Sequence, residues 1–183
     1  DPKPNDGRGV EILIGANAER SVQRAAELGD GWLISAKTRI PEMTDLATTY
    51  RATANTGDRE TISVTRKAFV AESTQDAVER YTPIMKPYLQ AYLDRDATDV
   101  QEYVDDLDSQ VRDIMTHHLI GSPEDWIERI ETMHEQAGGT HVNSSYSTPR
   151  LEHEAVLDSL RLFDEKVVAY FQDEYADLGS QHN

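Results

Sequence analysis

Residues 10–35, VEILIGANAERSVQRAAELGDGWLIS, limit the possible folds more than any other part of the chain. The apolar run 10–14 is bounded by Gly9 and Gly15 and reads as a short buried strand. A helix follows at once. Val22, Ala25, Ala26 and Gly29 fall at i, i+3, i+4 and i+7, one face of an α-helix. Asn17 stands where a cap is expected, and Gly29 suits the helix end. Residues 31–35 then read as a second strand. Two strands joined through one helix pair parallel, because an antiparallel pair needs only a tight turn.

The rest of the chain repeats this unit. Pro41 opens a second helix with the stripe Met43, Leu46, Ala47, Tyr50 and Ala54, and Gly57 closes it. Residues 62–71 alternate and then turn fully apolar, a third strand. Thr74 starts a helix that carries Tyr81, Ile84, Met85, Tyr88, Leu89 and Tyr92 at helical spacing. Residues 94–99 break that pattern. Val100, Tyr103, Val104, Leu107, Val111 and Ile114 stripe one more, strongly acidic helix. Residues 81–119 exceed what one crossover needs and read as a helical insertion. Ser122 and Asp125 make a reciprocal cap for a helix with Trp126, Ile127, Ile130 and Met133 inward, and Gly138-Gly139 ends it. Residues 140–144 are a fourth strand. Val156, Leu160, Phe163, Val167 and Phe171 mark a long closing helix. The predicted fold class is α/β. Four strand–helix units in a single domain over 1–183 amount to half of a (β/α)8 barrel, whose whole size is about 250 residues.

Charge narrows the partners. The formal net charge is -16, from 34 acidic and 18 basic residues. Such a surface repels nucleic acid and anionic lipid. Lysine occurs only at Lys3, Lys37, Lys67, Lys86 and Lys166. Dense acidic charge with scarce lysine fits a halophilic protein, whose self-repulsion salt screens. Thermal melts across a salt series test this: the melting temperature should rise with salt, and a flat response would count against it. No apolar run approaches the roughly 20 residues of a membrane helix. The chain opens on Asp1 rather than Met, as a cut or processed chain would. No export signal is visible, which sets a cytoplasmic expectation. Cysteine is absent, so thiol chemistry and cysteine metal sites are excluded.

Candidate chemistry gathers at strand ends, where barrel active sites lie. Gly15-Ala16-Asn17 joins a strand to a helix whose first turn holds Glu19 and Arg20. Small residues and free backbone N–H groups at such a turn favour a phosphate. A plain tight turn is the alternative. Arg66 lies in the third strand. If it points to the interior it can stabilise an anionic intermediate; a one-residue change of register would bring in Lys67 instead. Asn143 and Ser145 end the fourth strand and are candidates for the substrate pocket. His117 and His118 are adjacent and point apart, so no metal is expected there. His134, His141, His153 and His182 show no ligand spacing, and the histidines read as surface or packing residues. No serine-based triad is visible.

The strand, Gly15-Ala16-Asn17, the Ala-rich helix and Gly29-Asp30-Gly31-Trp32 together resemble the luciferase-like monooxygenases. IGSPEDWIERIETM (120–133) resembles the last crossover helix of that family, and LEHEAVLDSLRLFDEKVVAYF (151–171) its closing helix. The resemblance implies the C-terminal half of a (β/α)8 barrel, with a reduced FMN or the deazaflavin coenzyme F420 at the strand ends. It carries over Gly15, Ala16 and Asn17 as part of the cofactor phosphate site, with Trp32 and Ser35 bordering it. If Arg66 faces the barrel interior, such a cofactor gives it a role beside the reduced flavin or peroxyflavin anion; a solvated strand-end arginine is the alternative. The implied activity is oxidation or reduction of a small organic substrate. A different reading is a non-catalytic assembly module. A half barrel exposes two strand edges and calls for the N-terminal half or a second copy of itself.

Overall fold

The computed structural model describes residues 10–54, 61–93, 111, 113, 115–146 and 150–175. Gly57, residues 94–99 and the side chains Val100, Tyr103, Val104, Leu107 and Ile114 lie outside that description, and so does much of the expected insertion. The chain divides into two compact units, Asp1–Thr65 with Thr132–Asn143, and Arg66–Glu131 with Ser144–Asn183.

The first unit contains β1 (Leu13–Ala16), α1 (Glu19–Leu28), β2 (Gly31–Ile34), α2 (Ile40–Thr53) and the first half of β3 (Thr61–Val70). The strands are parallel: β1 and β2 pair from Leu13↔Gly31 to Ala16↔Ile34, and β2 and β3 from Gly31↔Thr61 to Ile34↔Val64. Val22, Ala25 and Ala26 are the buried face of α1, and Met43, Ala47 and Tyr50 that of α2. The stripes read from the sequence are therefore the packed faces.

The Gly-Asp-Gly-Trp motif stitches β1 to β2. A Cβ on Gly29 would stand 3.0 Å from the Ala25 oxygen and 3.0 Å from Ile14 Cγ1, so a side chain there would have to press its neighbours aside. Asp30 accepts a hydrogen bond from Ile12 N (2.8 Å) and donates its own N–H to Ile12 O (2.9 Å). Gly31 lies between two neighbouring strands. Trp32 sends its indole N–H back to the Ala16 oxygen at 2.9 Å and stacks on Tyr50. Asp30 thus ties down the start of β1, and Trp32 its end.

The second unit contains the remainder of β3, α3 (Thr74–Leu93) and β4 (Leu119–Gly121), with β3 and β4 parallel from Ala68↔Leu119 to Val70↔Gly121. Its core gathers Phe69, Tyr81, Met85, Val111, Met115 and Ile120. The strand β4 was not expected. Three residues are too few for a periodic signal, and only pairing with β3 makes them a strand. Helix α4 (Pro123–Ala137) begins with the anticipated cap: Asp125 accepts from Ser122 N (2.9 Å), and Ser122 Oγ accepts from Asp125 N (3.3 Å). Strand β5 (His141–Ser145) follows and pairs with β3.

The closing segment is helical throughout: α5 (His153–Leu162), a π-helical stretch (Phe163–Val168) and α6 (Ala169–Glu174). Val167 is buried as expected, but Leu160 is 38% exposed and its neighbour Ser159 is buried instead. The reason is a hydrogen bond. Ser159 Oγ accepts the Val70 N–H at 2.8 Å, which turns the small polar residue to the strand end and Leu160 away from it. The π-helical turn shifts the phase of the stripe again beyond Phe163.

Candidate functional site

The register Ala16↔Ile34 sets the C-terminal ends of β1 and β2 side by side. Gly15, Ala16, Asn17 and Ser35 therefore meet at one end of the first unit. The turn differs from the expected one in its cap. The helix starts at Glu19 with Ala18 as N-cap, and Ser21 supplies the side chain: its hydroxyl accepts from Ala18 N (3.2 Å) and donates to Ala18 O (2.7 Å). Asn17 is exposed and lies one residue too early to cap. Ser35 is partly buried, and its side chain accepts the Lys37 N–H at 3.3 Å in the turn after β2. Trp32 is fully buried, so it positions the turn through Ala16 O.

The glycines separate by role. Around a Cβ placed on Gly15 there is nothing within 4 Å, whereas Gly31 is hemmed in by Leu13 and Thr61. The fold has no packing use for a glycine at 15. An exposed backbone that needs no glycine for packing is where a bulky anion can come close. The residues present therefore fit the phosphate end of a flavin-type cofactor, beside the positive end of α1.

Arg66 is fully buried in β3, while Lys67 is only partly so. Burial pushes its guanidinium down to about 10. In the same unit His118 is 6% exposed. Burial first, then the charges of Arg66, Lys67, His117 and Arg129, push its imidazole down to about 3. Arg129 Nη1 donates to the carbonyls of His118 and Ile120, both at 2.8 Å, and so fixes the turn that carries the histidine. His118 belongs to the packing residues by its burial, but its electrostatic setting was not legible. Its one sequence signal is its place directly ahead of the apolar pair Leu119-Ile120. Asn143 and Ser145 are both exposed on β5. Among the described residues, no group of three or more His, Asp or Glu is placed to hold a metal ion. Among the same residues, no helix is long and apolar enough to cross a membrane.

The sequence profile of the luciferase-like monooxygenases matches residues 1–141. The chain belongs to that family. No curated protein matches the chain significantly. Solved structures show the same fold at low identity. A monooxygenase, RslO1, from Streptomyces bottropensis aligns with TM-score 0.70 at 18% identity, over 89% of this chain and 49% of its own. The coenzyme F420 dependent tetrahydromethanopterin reductase from Methanopyrus kandleri gives 0.62 at 17%, over 88% and 51%. The long-chain alkane monooxygenase LadA gives 0.58 at 15%, over 91% and 42%. The chain thus spans about half the length of the structures it matches. Its fold is the α/β, parallel-stranded luciferase-like one, and it supplies about half of such a barrel. Both flavin and F420 enzymes stand among the neighbours of this luciferase-like chain.

Proposed function

We propose that this luciferase-like chain is the cofactor-phosphate half of an oxidoreductase that acts on a small organic substrate with reduced FMN and oxygen, or by hydride exchange with coenzyme F420. The observation that carries the reading is the open, exposed Gly15 near the end of β1, beside Ala16, whose carbonyl Trp32 holds, and with no packing contact of its own to fill. Gly15, Ala16 and Asn17 hold the phosphate, with Arg20 near the first turn of α1 and Ser35 at its border. The redox chemistry is the cofactor's, and the protein supplies position and charge. Arg66 offers buried positive charge to an anionic reacting group. Asn143 and Ser145 border the substrate.

Gly15→Leu tests the phosphate turn. In the assembled protein it should weaken FMN or F420 binding by about tenfold or more, with the melting temperature shifted much less, because Gly15 is exposed and a Cβ there meets nothing within 4 Å. Fluorescence quenching beside a thermal melt reads both. Unchanged affinity would remove the turn from the site, and an assembled protein that binds neither coenzyme would end the oxidoreductase reading.

A second reading, assembly, rests on the outer strands. Val10 is 76% and Ile12 59% exposed just ahead of β1, and β5 is exposed at four of its five positions. Strand edges of this kind call for a partner, either the other half of the barrel or a second copy. Under native high-salt conditions the chain should therefore run well above its 20.6 kDa or co-purify with a partner half. A well-behaved monomer of that mass would overturn this.

A further inference from the structure

Two buried donors have no part in the phosphate turn, and they stand together. Trp126 is fully buried and Tyr146 half-buried, yet the Trp126 indole nitrogen and the Tyr146 hydroxyl are both out of solvent without a hydrogen-bond partner. Trp32 shows the ordinary case in this fold, with its indole N–H on the Ala16 oxygen at 2.9 Å. A buried polar atom left unpaired calls for an explanation, and a bound group is one. The chain brings the two donors to one place. Trp126 lies in the first turn of α4, where its backbone N–H bonds to Ser122 O at 3.2 Å. Tyr146 follows β5 directly. Their ring centres are 5.8 Å apart. Phe163 adds a third ring, 5.2 Å from Trp126 and 6.0 Å from Tyr146. It is also the first residue of the π-helical stretch, and such stretches frequently mark functional sites. All three residues belong to the second unit. Burial pushes the Tyr146 hydroxyl well above its ordinary value, so it keeps its proton and remains a donor.

We propose that Trp126, Tyr146 and Phe163 form a subsite for an uncharged carbonyl group (ketone, ester or amide) carried on an apolar body. A carbonyl oxygen has two lone pairs, enough to accept from both the indole N–H and the phenol hydroxyl. The three rings cover the apolar body. A carboxylate or phosphate is disfavoured, because it would lose its hydration beside three neutral rings that return no charge. A plain hydrocarbon would leave both donors unpaired. The carbonyl group is held there and not changed. The inference deepens the proposed function by naming a chemistry for the substrate next to Ser145, and it rests on that reading only for the part such a ligand plays in a reaction.

The test follows the indole N–H signals by NMR in the nitrogen-labelled full chain. The sequence holds two tryptophans, and Trp126→Phe assigns the two signals. Acetophenone is the probe. Ethylbenzene, of similar shape but without the oxygen, and benzoate are the controls. Acetophenone should move the Trp126 signal saturably and leave that of Trp32 in place, since the Trp32 N–H is already bonded. Ethylbenzene and benzoate should bind at least about tenfold more weakly. Tyr146→Phe keeps the ring and removes the hydroxyl. It should weaken acetophenone binding about fivefold and leave ethylbenzene binding unchanged. An unmoved Trp126 signal would overturn the proposal. So would equal binding of acetophenone and ethylbenzene, or unchanged acetophenone affinity in Tyr146→Phe. Tighter binding of benzoate would overturn the uncharged class. If the variant does not fold, the comparison of ketone with hydrocarbon on the parent chain decides alone. No arm involves a flavin, so failure here leaves the cofactor reading standing, and failure of coenzyme binding leaves this subsite standing.

Discussion

Gly31→Ala should unfold the first unit or cost it most of its stability. The added Cβ would stand 2.5 Å from Leu13 Cδ2, 2.5 Å from the Thr61 oxygen and 2.8 Å from Thr61 Cβ. The Leu13 side chain can rotate away. The Thr61 oxygen is backbone, and Gly31 is register-paired with both Leu13 and Thr61, so β2 cannot move off one neighbour without meeting the other. Ordinary overpacking costs about 1–3 kcal/mol, and this contact requires a strand to move, so about 3 kcal/mol or more is expected. That is a large part of the ~5–15 kcal/mol that holds a typical domain. Urea denaturation followed by circular dichroism measures it. Gly15→Ala is the matched control and should fall within about 0.5 kcal/mol of the parent, because its Cβ meets nothing within 4 Å. Equal midpoints for the two variants would show that the close approach at Gly31 is not real.

The second large effect is acid lability. His118 titrates at about 3 in the folded chain, against the ordinary 6.5 of an unfolded one, because burial and then the Arg66 charge oppose its protonation. Between those values the unfolded chain binds a proton that the folded chain refuses. Stability therefore rises with pH across this window and is lost as pH falls from about 6.5 toward 3. One such proton changes stability by roughly 1.4 kcal/mol per pH unit, so the loss from pH 6.5 to pH 4.5 is on the order of 2–3 kcal/mol. Most carboxylates titrate below that interval, which isolates the histidine. Denaturation at half-unit pH steps, for the parent and for His118→Gln, reads the slope. The glutamine variant should have a nearly flat response from pH 6.5 to 4.5. A parent as flat as the variant would mean that His118 protonates without cost, and that neither its burial nor the Arg66 charge opposes the proton.

Much of the fold is legible in the residues themselves. The helix-spaced face Val22, Ala25, Ala26 and the stripe Met43, Ala47, Tyr50 announce two helices, and the runs around them announce strands. The periods of 3.6 and 2 are local properties, so no tertiary contact is needed to see them. The Ser122–Asp125 cap is legible for the same reason: its donors and acceptors lie within one helical turn. The turn at Gly15 was visible as a strand-to-helix junction of small residues, and so was the cationic pair Arg66-Lys67 in an otherwise largely apolar strand.

What the sequence could not show is set by contacts between distant residues. That Gly15 is open while Gly31 is crowded depends on Leu13 and Thr61, which only the sheet register brings to Gly31. That Ser159 and not Leu160 faces inward depends on the N–H of Val70, 89 positions away. Strand β4 exists because β3 lies beside it, and Leu119-Ile120-Gly121 is too short to declare itself. That Arg66 is buried and Lys67 only partly so was a matter of one residue of register, which flips every side chain of a strand to its other face. His118 shows the limit most clearly. In the sequence it is one of two adjacent histidines. The downward push on its pKa comes from burial first and then from charges such as Arg66 and Arg129, and both effects depend on distance in space rather than along the chain.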